Sequence, residues 1–278
     1  MNQIKIVTDS SADLLSLSRV PYAVAPMKII TAAREFVDDA TLNVPEQLAF
    51  FETYKGQSKS SCPNVSDWLE AFGDAERIIC ITITSGLSGS YNSACMAKEI
   101  YEADLADRRV FVLDSLSAGP ELTLLVDQLE TWILEGRPYE EICARLAAYA
   151  DRLELCFMLK SLRNFANNGR VSPAVARITG LLGICIVGRA GDEGTLEPTH
   201  KCRGESRALE TLVEDMIAKG YAGGRVRVGH CRNEAAALKL RELITARYEN
   251  ATVFIHELRG LCSFYAEDGG VLVGFEKS

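Results

Sequence analysis

Histidine is scarce in this chain, with only His200, His230 and His256 present. None of the three lies in a local sequence typical of a catalytic triad or of a metal site. The chain also lacks a Gly-x-Gly-x-x-Gly pattern and a glycine-rich loop that ends in lysine, which disfavours dinucleotides and nucleotide phosphates as ligands. We therefore expect neither a metal nor a cofactor.

The chain has no Cys-x-x-Cys pair and no long hydrophobic run. Most of its nine cysteines lie in apolar segments, where a free thiol behaves as a small hydrophobe, so we expect reduced structural cysteines. The most apolar stretch, residues 178–187, is interrupted by glycine and is about half as long as a membrane span. No signal-peptide pattern precedes the first strand-like run. These features predict a soluble, cytoplasmic protein.

Negative charge exceeds positive charge over the whole chain, but positive charge is concentrated in one segment. The formal net charge is −8, which disfavours nucleic acid as a partner. Residues 160–207, however, contain eight Lys and Arg residues against four Asp and Glu residues. This segment therefore carries +4 and the remainder −12. It is either an ordinary solvated face or a docking surface for an anionic partner.

The first half of the chain alternates β-rich runs with helical patterns. Candidate strands are Ile4–Val7, Tyr22–Ile30, Arg77–Ile83 and Val110–Leu113, and candidate helices cover residues 45–55, 66–72, 91–101 and 122–135. This alternation predicts an α/β fold, with a mostly parallel N-terminal sheet that has helices on both faces. The second half has a different rhythm and predicts an α+β domain. We expect domains at residues 1–155 and 156–278, with the ligand between them.

Three hydroxyl-rich segments fall at predicted strand ends or in loops: residues 8–11, 59–63 and 84–90. Each is also explained by helix capping, and Ser10 with Asp13 resembles a capping box. The carboxyl edge of a parallel sheet would, however, bring the three loops to one crevice. Hydroxyls and helix N-terminal amides together favour an anion, so a carboxylate or a small phosphate is the expected ligand.

A serine hydrolase is the main enzymatic alternative. A predicted strand runs into Gly86-Leu87-Ser88-Gly89-Ser90, which superficially resembles a nucleophile elbow with Ser88 as the nucleophile. The last glycine of that pattern is replaced by Ser90, and no histidine has a recognisable triad context. A binding protein for another amphipathic acid is the second alternative.

Several short motifs together resemble the DegV family, and they occur in the family's order along nearly the whole chain. These are Val7-Thr8-Asp9-Ser10-Ser11, Ser60-Ser61-Cys62-Pro63, Ser85-Gly86-Leu87-Ser88-Gly89-Ser90 and Asn168-Gly169-Arg170-Val171-Ser172. The resemblance implies two α/β domains with a long-chain fatty acid held between them. It also implies a lipid-binding protein, not an enzyme, that presents this fatty acid to a separate ATP-dependent fatty acid kinase.

The resemblance also assigns site residues. The two hydroxyls that bind the fatty-acid carboxylate fall on Ser60 and Ser88, while Arg170 and Arg203 match family arginines for which we expect kinase docking or a phosphoryl contact. A structural salt bridge is the alternative for Arg170. A transient contact with a membrane surface is a further expected interaction of such a lipid carrier.

The chain departs from the family pattern at two places. Cys62 replaces a glutamine, and residues 265–270 replace the C-terminal His-Thr-Gly-Pro-Gly motif. We expect Tyr265 to take over the head-group contact of the missing histidine, provided that Glu267 and Asp268 point away from the carboxylate. Apolar candidates for the acyl tunnel are Phe165, Ile178, Leu181, Leu182 and Ile184, although ordinary core packing is the first explanation for each.

Overall fold

The computed structural model describes residues 3–172, 175 and 183–278, and its strands form three sheets. The strands are β1 Ile4–Asp9, β2 Tyr22–Ala25, β3 Lys28–Thr31, β4 Glu35–Val37, β5 Ser58–Ser61, β6 Arg77–Thr82, β7 Arg109–Asp114, β8 Leu153–Leu159, β9 Ile184–Ala190, β10 Leu196–Arg203, β11 Arg225–His230, β12 Thr252–Glu257 and β13 Val271–Glu276. The helices are α1 Val44–Thr53, α2 Val65–Phe72, α3 Ser90–Asp104, α4 Pro120–Leu134, α5 Tyr139–Ala150, α6 Arg163–Asn167, α7 Glu205–Ala218, α8 Glu234–Thr245 and α9 Gly260–Ala266.

The N-terminal half is built on a parallel sheet of order β2-β1-β6-β7. Apolar residues on both faces of these strands require cover on both sides. Trp68 and Phe72 of α2 and Tyr101 of α3 pack on one face. Leu125 of α4 and Leu146 of α5 belong to the core on the other face. The predicted parallel sheet with helices on both faces is confirmed.

The second half forms a mixed six-stranded sheet of order β10-β9-β8-β13-β11-β12, in which only β11 and β12 run parallel. Helices α7 and α8 cover one face with a core that includes Leu212 and Leu240. The other face approaches α4, because a Cβ on Gly274 would lie 2.6 Å from the backbone nitrogen of Glu121. Helix α4 therefore contacts both large sheets, and the predicted α+β second half is confirmed.

A small antiparallel sheet of order β4-β3-β5 lies beside the large ones. Its core contains Ile29 and Phe36 together with Phe264 of α9, and Phe50 and Phe51 of α1 pack against it. Aromatic ring pairs across this cluster have centroid distances of 4.9–5.6 Å, which are typical of edge-to-face and tilted packing. The cluster fixes β5, and with it Ser60, relative to α9.

Three local predictions were wrong. The single strand expected over Tyr22–Ile30 is two strands in different sheets, because Pro26 lies between them and has no N–H for a ladder. Residues 58–61 form strand β5 instead of capping a helix, and the next helix is capped by Asn64. Ser10 and Asp13 do not form a capping box, since Asp9 caps the short turn there and the Asp13 carboxylate accepts the backbone N–H of Arg259.

Candidate functional site

A cavity of about 300 Å³ lies between the carboxyl edge of the parallel sheet and the inner face of the six-stranded sheet. Loops that follow β6 and β7 contribute one wall, and β8, β10 and α9 contribute the other. This is the edge at which the sequence predicted a crevice. The apolar part of the lining comes mainly from Met27, Ile83, Leu155, Phe157, Leu159, Phe165, Leu196, Leu261 and Leu272.

Of the residues considered for an acyl tunnel, Phe165 lines the cavity and Ile184 packs against the adjoining core cluster. Ile178, Leu181 and Leu182 lie outside the described residues. Phe157 and Leu159, which the sequence analysis did not single out, alternate on β8 toward the cavity. Their strand pattern predicts buried side chains but not which sheet face adjoins a cavity.

A pair of hydroxyls stands at the polar part of the lining. The Ser60 Oγ of β5 and the Tyr265 Oη of α9 are 2.6 Å apart, so one donates to the other and one hydroxyl hydrogen stays free for a ligand. Burial raises the pKa of the Tyr265 phenol above its ordinary value, and the Ser60 hydrogen bond and the Arg170 charge only reduce the size of this rise. The phenol is therefore a neutral hydrogen-bond donor at physiological pH.

Ser88 supplies a second hydroxyl to the same cavity. Its Oγ accepts the N–H of Ser90 at 3.2 Å, so its own hydrogen is free to donate. Ser90 begins α3, and its Oγ donates to the buried Asp9 carboxylate at 2.6 Å. Asp9 also accepts the N–H of Ile83 at 2.9 Å. Burial raises the pKa of Asp9 above its ordinary value, and these hydrogen bonds only partly offset that rise. The same hydrogen bonds hold the loops after β1 and β6 together.

Arg170 connects the loop of Ser88 with the Ser60–Tyr265 hydroxyl pair. Its guanidinium donates to the carbonyl oxygens of Leu87, at 3.2 Å, and of Asn168, at 2.7 Å. Leu87 precedes Ser88, and the Asn168 side chain accepts the N–H of Ser60 at 2.9 Å. Within the described residues Arg170 has no carboxylate within salt-bridge distance, so the alternative of a structural salt bridge does not apply there. Its charge is left to act on the cavity that it lines.

Arg203, Glu267 and Asp268 lie away from the cavity lining. Arg203 is exposed at the end of β10. Glu267 accepts the Ser161 hydroxyl at 2.9 Å and faces Arg163 at 3.3 Å, and Asp268 contacts Arg232 at 2.9 Å. Both acids therefore point away, as the expected role of Tyr265 requires. Elsewhere in the positive segment, Lys160 contacts Glu205, and Arg189, which does line the cavity, contacts Glu197.

Two further features of the lining were missed by sequence reasoning. The turn between β9 and β10 closes on the loop after β6, since a Cβ on Gly194 would lie 2.0 Å from Thr84 Oγ1 and one on Gly86 would lie 2.4 Å from the Glu193 carbonyl oxygen. The glycines at both contact points indicated that another segment could approach the backbone closely, but the sequence did not indicate which segment this is. Cys62 also lines the cavity, and burial raises the pKa of its thiol.

The histidines do not form a catalytic site with Ser88. None of His200, His230 and His256 lines the cavity, and all three are among the residues that the structure describes. Both ring nitrogens of His256 are buried and have no hydrogen-bond partner among the described residues, and burial lowers the pKa of this imidazole to about 4. The serine-hydrolase alternative therefore lacks a general base at Ser88.

Outside positions 1–2, 173–174 and 176–182, no group of three His, Cys, Asp or Glu side chains is arranged to hold a metal ion. Over the same part of the chain, no helix has the length and apolarity needed to cross a bilayer.

Comparison with known proteins gives matches over nearly the full length. A crystal structure of a DegV family protein from Eubacterium eligens, loaded with heptadecanoic acid, superposes with a TM-score of 0.97 at 40% identity, covering 99% of this chain and 100% of that one. The Fatty Acid Kinase (Fak) B3 protein of Streptococcus pneumoniae, loaded with linoleic acid, has a TM-score of 0.97 at 38% identity, covering 99% and 100%.

Sequence comparison agrees with the structural matches. A DegV domain-containing protein of Streptococcus pneumoniae strain R6 is 39% identical over 276 residues, which are 98% of each chain. The family model described as "Uncharacterised protein, DegV family" matches residues 3–278. With this coverage and identity, and with the motifs arranged around one cavity, the chain belongs to the DegV family.

Proposed function

We propose that this protein binds a long-chain fatty acid through its carboxylate and presents it to a separate ATP-dependent fatty acid kinase for acyl phosphate formation. The carboxylate contacts Ser60, Ser88 and Tyr265, and the acyl chain occupies the apolar part of the cavity. The protein itself acts as a lipid carrier and not as an enzyme. The two-domain division at residue 155, with the ligand between the halves, belongs to the same proposal.

One observation carries the proposal: an apolar cavity whose lining hydroxyls have free hydrogens beside an arginine without a carboxylate partner in the described chain. Two hydroxyl hydrogens, one from Ser88 and one from the Ser60–Tyr265 pair, match the two oxygens of one carboxylate. Each buried CH₂ contributes about 0.8 kcal/mol. A long chain thus binds tightly with few polar contacts.

The similar proteins support this assignment of the ligand. The Eubacterium eligens and pneumococcal relatives hold heptadecanoic and linoleic acid, which share a single carboxylate and a long apolar chain. The pneumococcal relative is a Fatty Acid Kinase (Fak) B3 protein, which supports a kinase as partner of this chain. In this proposal Arg170 and the exposed Arg203 contribute kinase docking or a phosphoryl contact, and a membrane surface is visited transiently during lipid transfer.

Native mass spectrometry of the freshly purified protein tests the proposal, followed by organic extraction of any bound compound. We expect one long-chain fatty acid per chain, and much less of it in the Ser60→Ala, Ser88→Ala double variant. A protein that carries no lipid and does not take up added fatty acid would refute the proposal. A different amphipathic acid at full occupancy would retain the binding role and correct the ligand.

A further inference from the structure

The hydroxyl pair at the cavity is assembled from two separate parts of the chain. Ser60 belongs to β5 and Tyr265 to the last turn of α9, 205 residues away. Neither residue fixes the other, because a hydrogen bond between two side chains leaves both backbones free to shift. The geometry offered to a carboxylate therefore depends on what holds β5 and α9 relative to each other.

The Asn168 side chain holds Ser60. Its Oδ1 accepts the Ser60 N–H at 2.9 Å, and its Nδ2 donates to the carbonyl oxygen of Asn164 at 2.9 Å. Both ends of the amide are thus engaged, which fixes its orientation. The connection runs across 108 residues of sequence and joins β5 to the end of α6.

The Asn164 side chain holds Tyr265 from the same short helix. Its Nδ2 donates to the carbonyl oxygen of Phe264 at 2.6 Å, next to Tyr265, and its backbone N–H is accepted by Glu267 at 3.1 Å. Asn164 is only 5% exposed, so these hydrogen bonds are shielded from water. Residues 164 and 168 are one helical turn apart and therefore face the same side.

We propose that Asn168 and Asn164 are positioning residues that hold the Ser60–Tyr265 pair so that its one free hydroxyl hydrogen meets one oxygen of a carboxylate while the Ser88 hydroxyl meets the other, and that they thereby select a carboxylate over a neutral head group. The inference rests on the proposed function. A carboxylate presents two acceptor oxygens in fixed geometry, whereas an alcohol has one oxygen that rotates to suit its partners. Loss of the positioning hydrogen bonds therefore weakens carboxylate binding much more than alcohol binding.

The test compares dissociation constants for linoleic acid and linoleyl alcohol in wild type, Asn168→Ala and the matched control Asn167→Ala. Asn167 is exposed and has no part in the hydrogen bonds above. Alanine at 168 keeps the backbone carbonyl that accepts the Arg170 guanidinium at 2.7 Å, although it removes the side-chain oxygen that accepts the same group at 3.4 Å. We expect Asn168→Ala to weaken linoleic acid about tenfold to hundredfold, as for a lost hydrogen bond to a charged group. Linoleyl alcohol is expected to weaken less than about threefold.

A second readout needs no ligand. Amide hydrogen exchange at Ser60, followed by NMR, is expected to be about tenfold faster or more in Asn168→Ala, because the N–H loses its acceptor. A side-chain hydroxyl at 168 is too short to reach both partners, so Asn168→Ser is expected to lose the same selectivity. This variant supplies the result if the alanine variant unfolds.

The outcomes separate the inference from the proposed function. Equal weakening of acid and alcohol would mean that Asn168 is only structural and would overturn the inference. Unchanged acid binding or unchanged Ser60 exchange in the variants would overturn it as well. A wild-type protein that binds neither compound would instead refute the proposed function on which the inference rests.

Discussion

Removal of the Ser88 hydroxyl separates the head-group contribution from that of the acyl chain. Ser88 Oγ already accepts the Ser90 N–H, so its free hydrogen is the part available to a carboxylate. A hydrogen bond to a charged group contributes about 1.5–3 kcal/mol, and one between neutral groups about 0.5–1.5 kcal/mol. Ser88→Ala is therefore expected to weaken a fatty acid about tenfold to 150-fold and the matching alcohol about threefold to tenfold.

Titration of linoleic acid and linoleyl alcohol by isothermal calorimetry measures both effects. Ser85→Ala is the matched control, since Ser85 is exposed in the same loop, is not part of the cavity lining, and makes its contact with Asp114 through the backbone N–H. The apolar lining is the same in all three proteins, so each CH₂ added to the ligand still contributes about 0.8 kcal/mol. A change below threefold for linoleic acid in Ser88→Ala would refute the assignment of Ser88 to the carboxylate.

Three further perturbations test other parts of the molecule. Burial raises the pKa of Glu121 to about 8 from the value of about 4.5 that applies in the unfolded chain. Between these values the folded protein holds a proton that the unfolded chain has released, so the free energy of unfolding falls as pH rises from about 4.5 to 8. Urea denaturation should show that wild type loses about 2 kcal/mol of unfolding free energy between pH 6 and 8 relative to Glu121→Gln. The same pH dependence in the two proteins would contradict this prediction. Gly194→Ala places a Cβ against Thr84 and should speed lipid release in stopped-flow measurements, whereas Gly136→Ala, with similar positive φ and open space, should not. Arg203→Ala should lower kinase-dependent acyl phosphate formation without changing lipid affinity, while Arg170→Ala should lower both. An equal loss of lipid affinity in the two variants would argue against separate roles.

Much of the fold was predictable because it depends on local pattern. The apolar runs at β1, β6 and β7 place side chains in the cores on both faces of the sheet, and such strands are stable only between two layers of helices. The segments that failed had weak local signals. Strand β5 consists of polar residues and is a strand because it pairs with Ile29 and Ile30 beneath an aromatic cluster. Helix α9 has seven residues, too few for a periodic pattern.

The candidate site was predictable in part for a similar reason. Hydroxyl-rich loops after strands were expected to meet at the carboxyl edge of the sheet, and the loop that contains Ser88 does lie there. The motif resemblance added Ser60 and Arg170, and both line the same cavity. Asn168 lay within a recognised motif, but no pattern indicated that its side chain accepts the Ser60 N–H. Contacts of that kind join residues more than 100 positions apart.

The sequence by itself determined the parallel sheet and its helical layers, because alternating strands and helices are local features, and its hydroxyl-rich loops predicted an anionic ligand. Only the tertiary structure decided which hydroxyls meet. The distance of 2.6 Å between Ser60 and Tyr265 depends on a small sheet, an aromatic cluster and two asparagines that pack together. Such a distance follows from the packing of the whole chain, because a shift of about one ångström between two elements is enough to break a hydrogen bond.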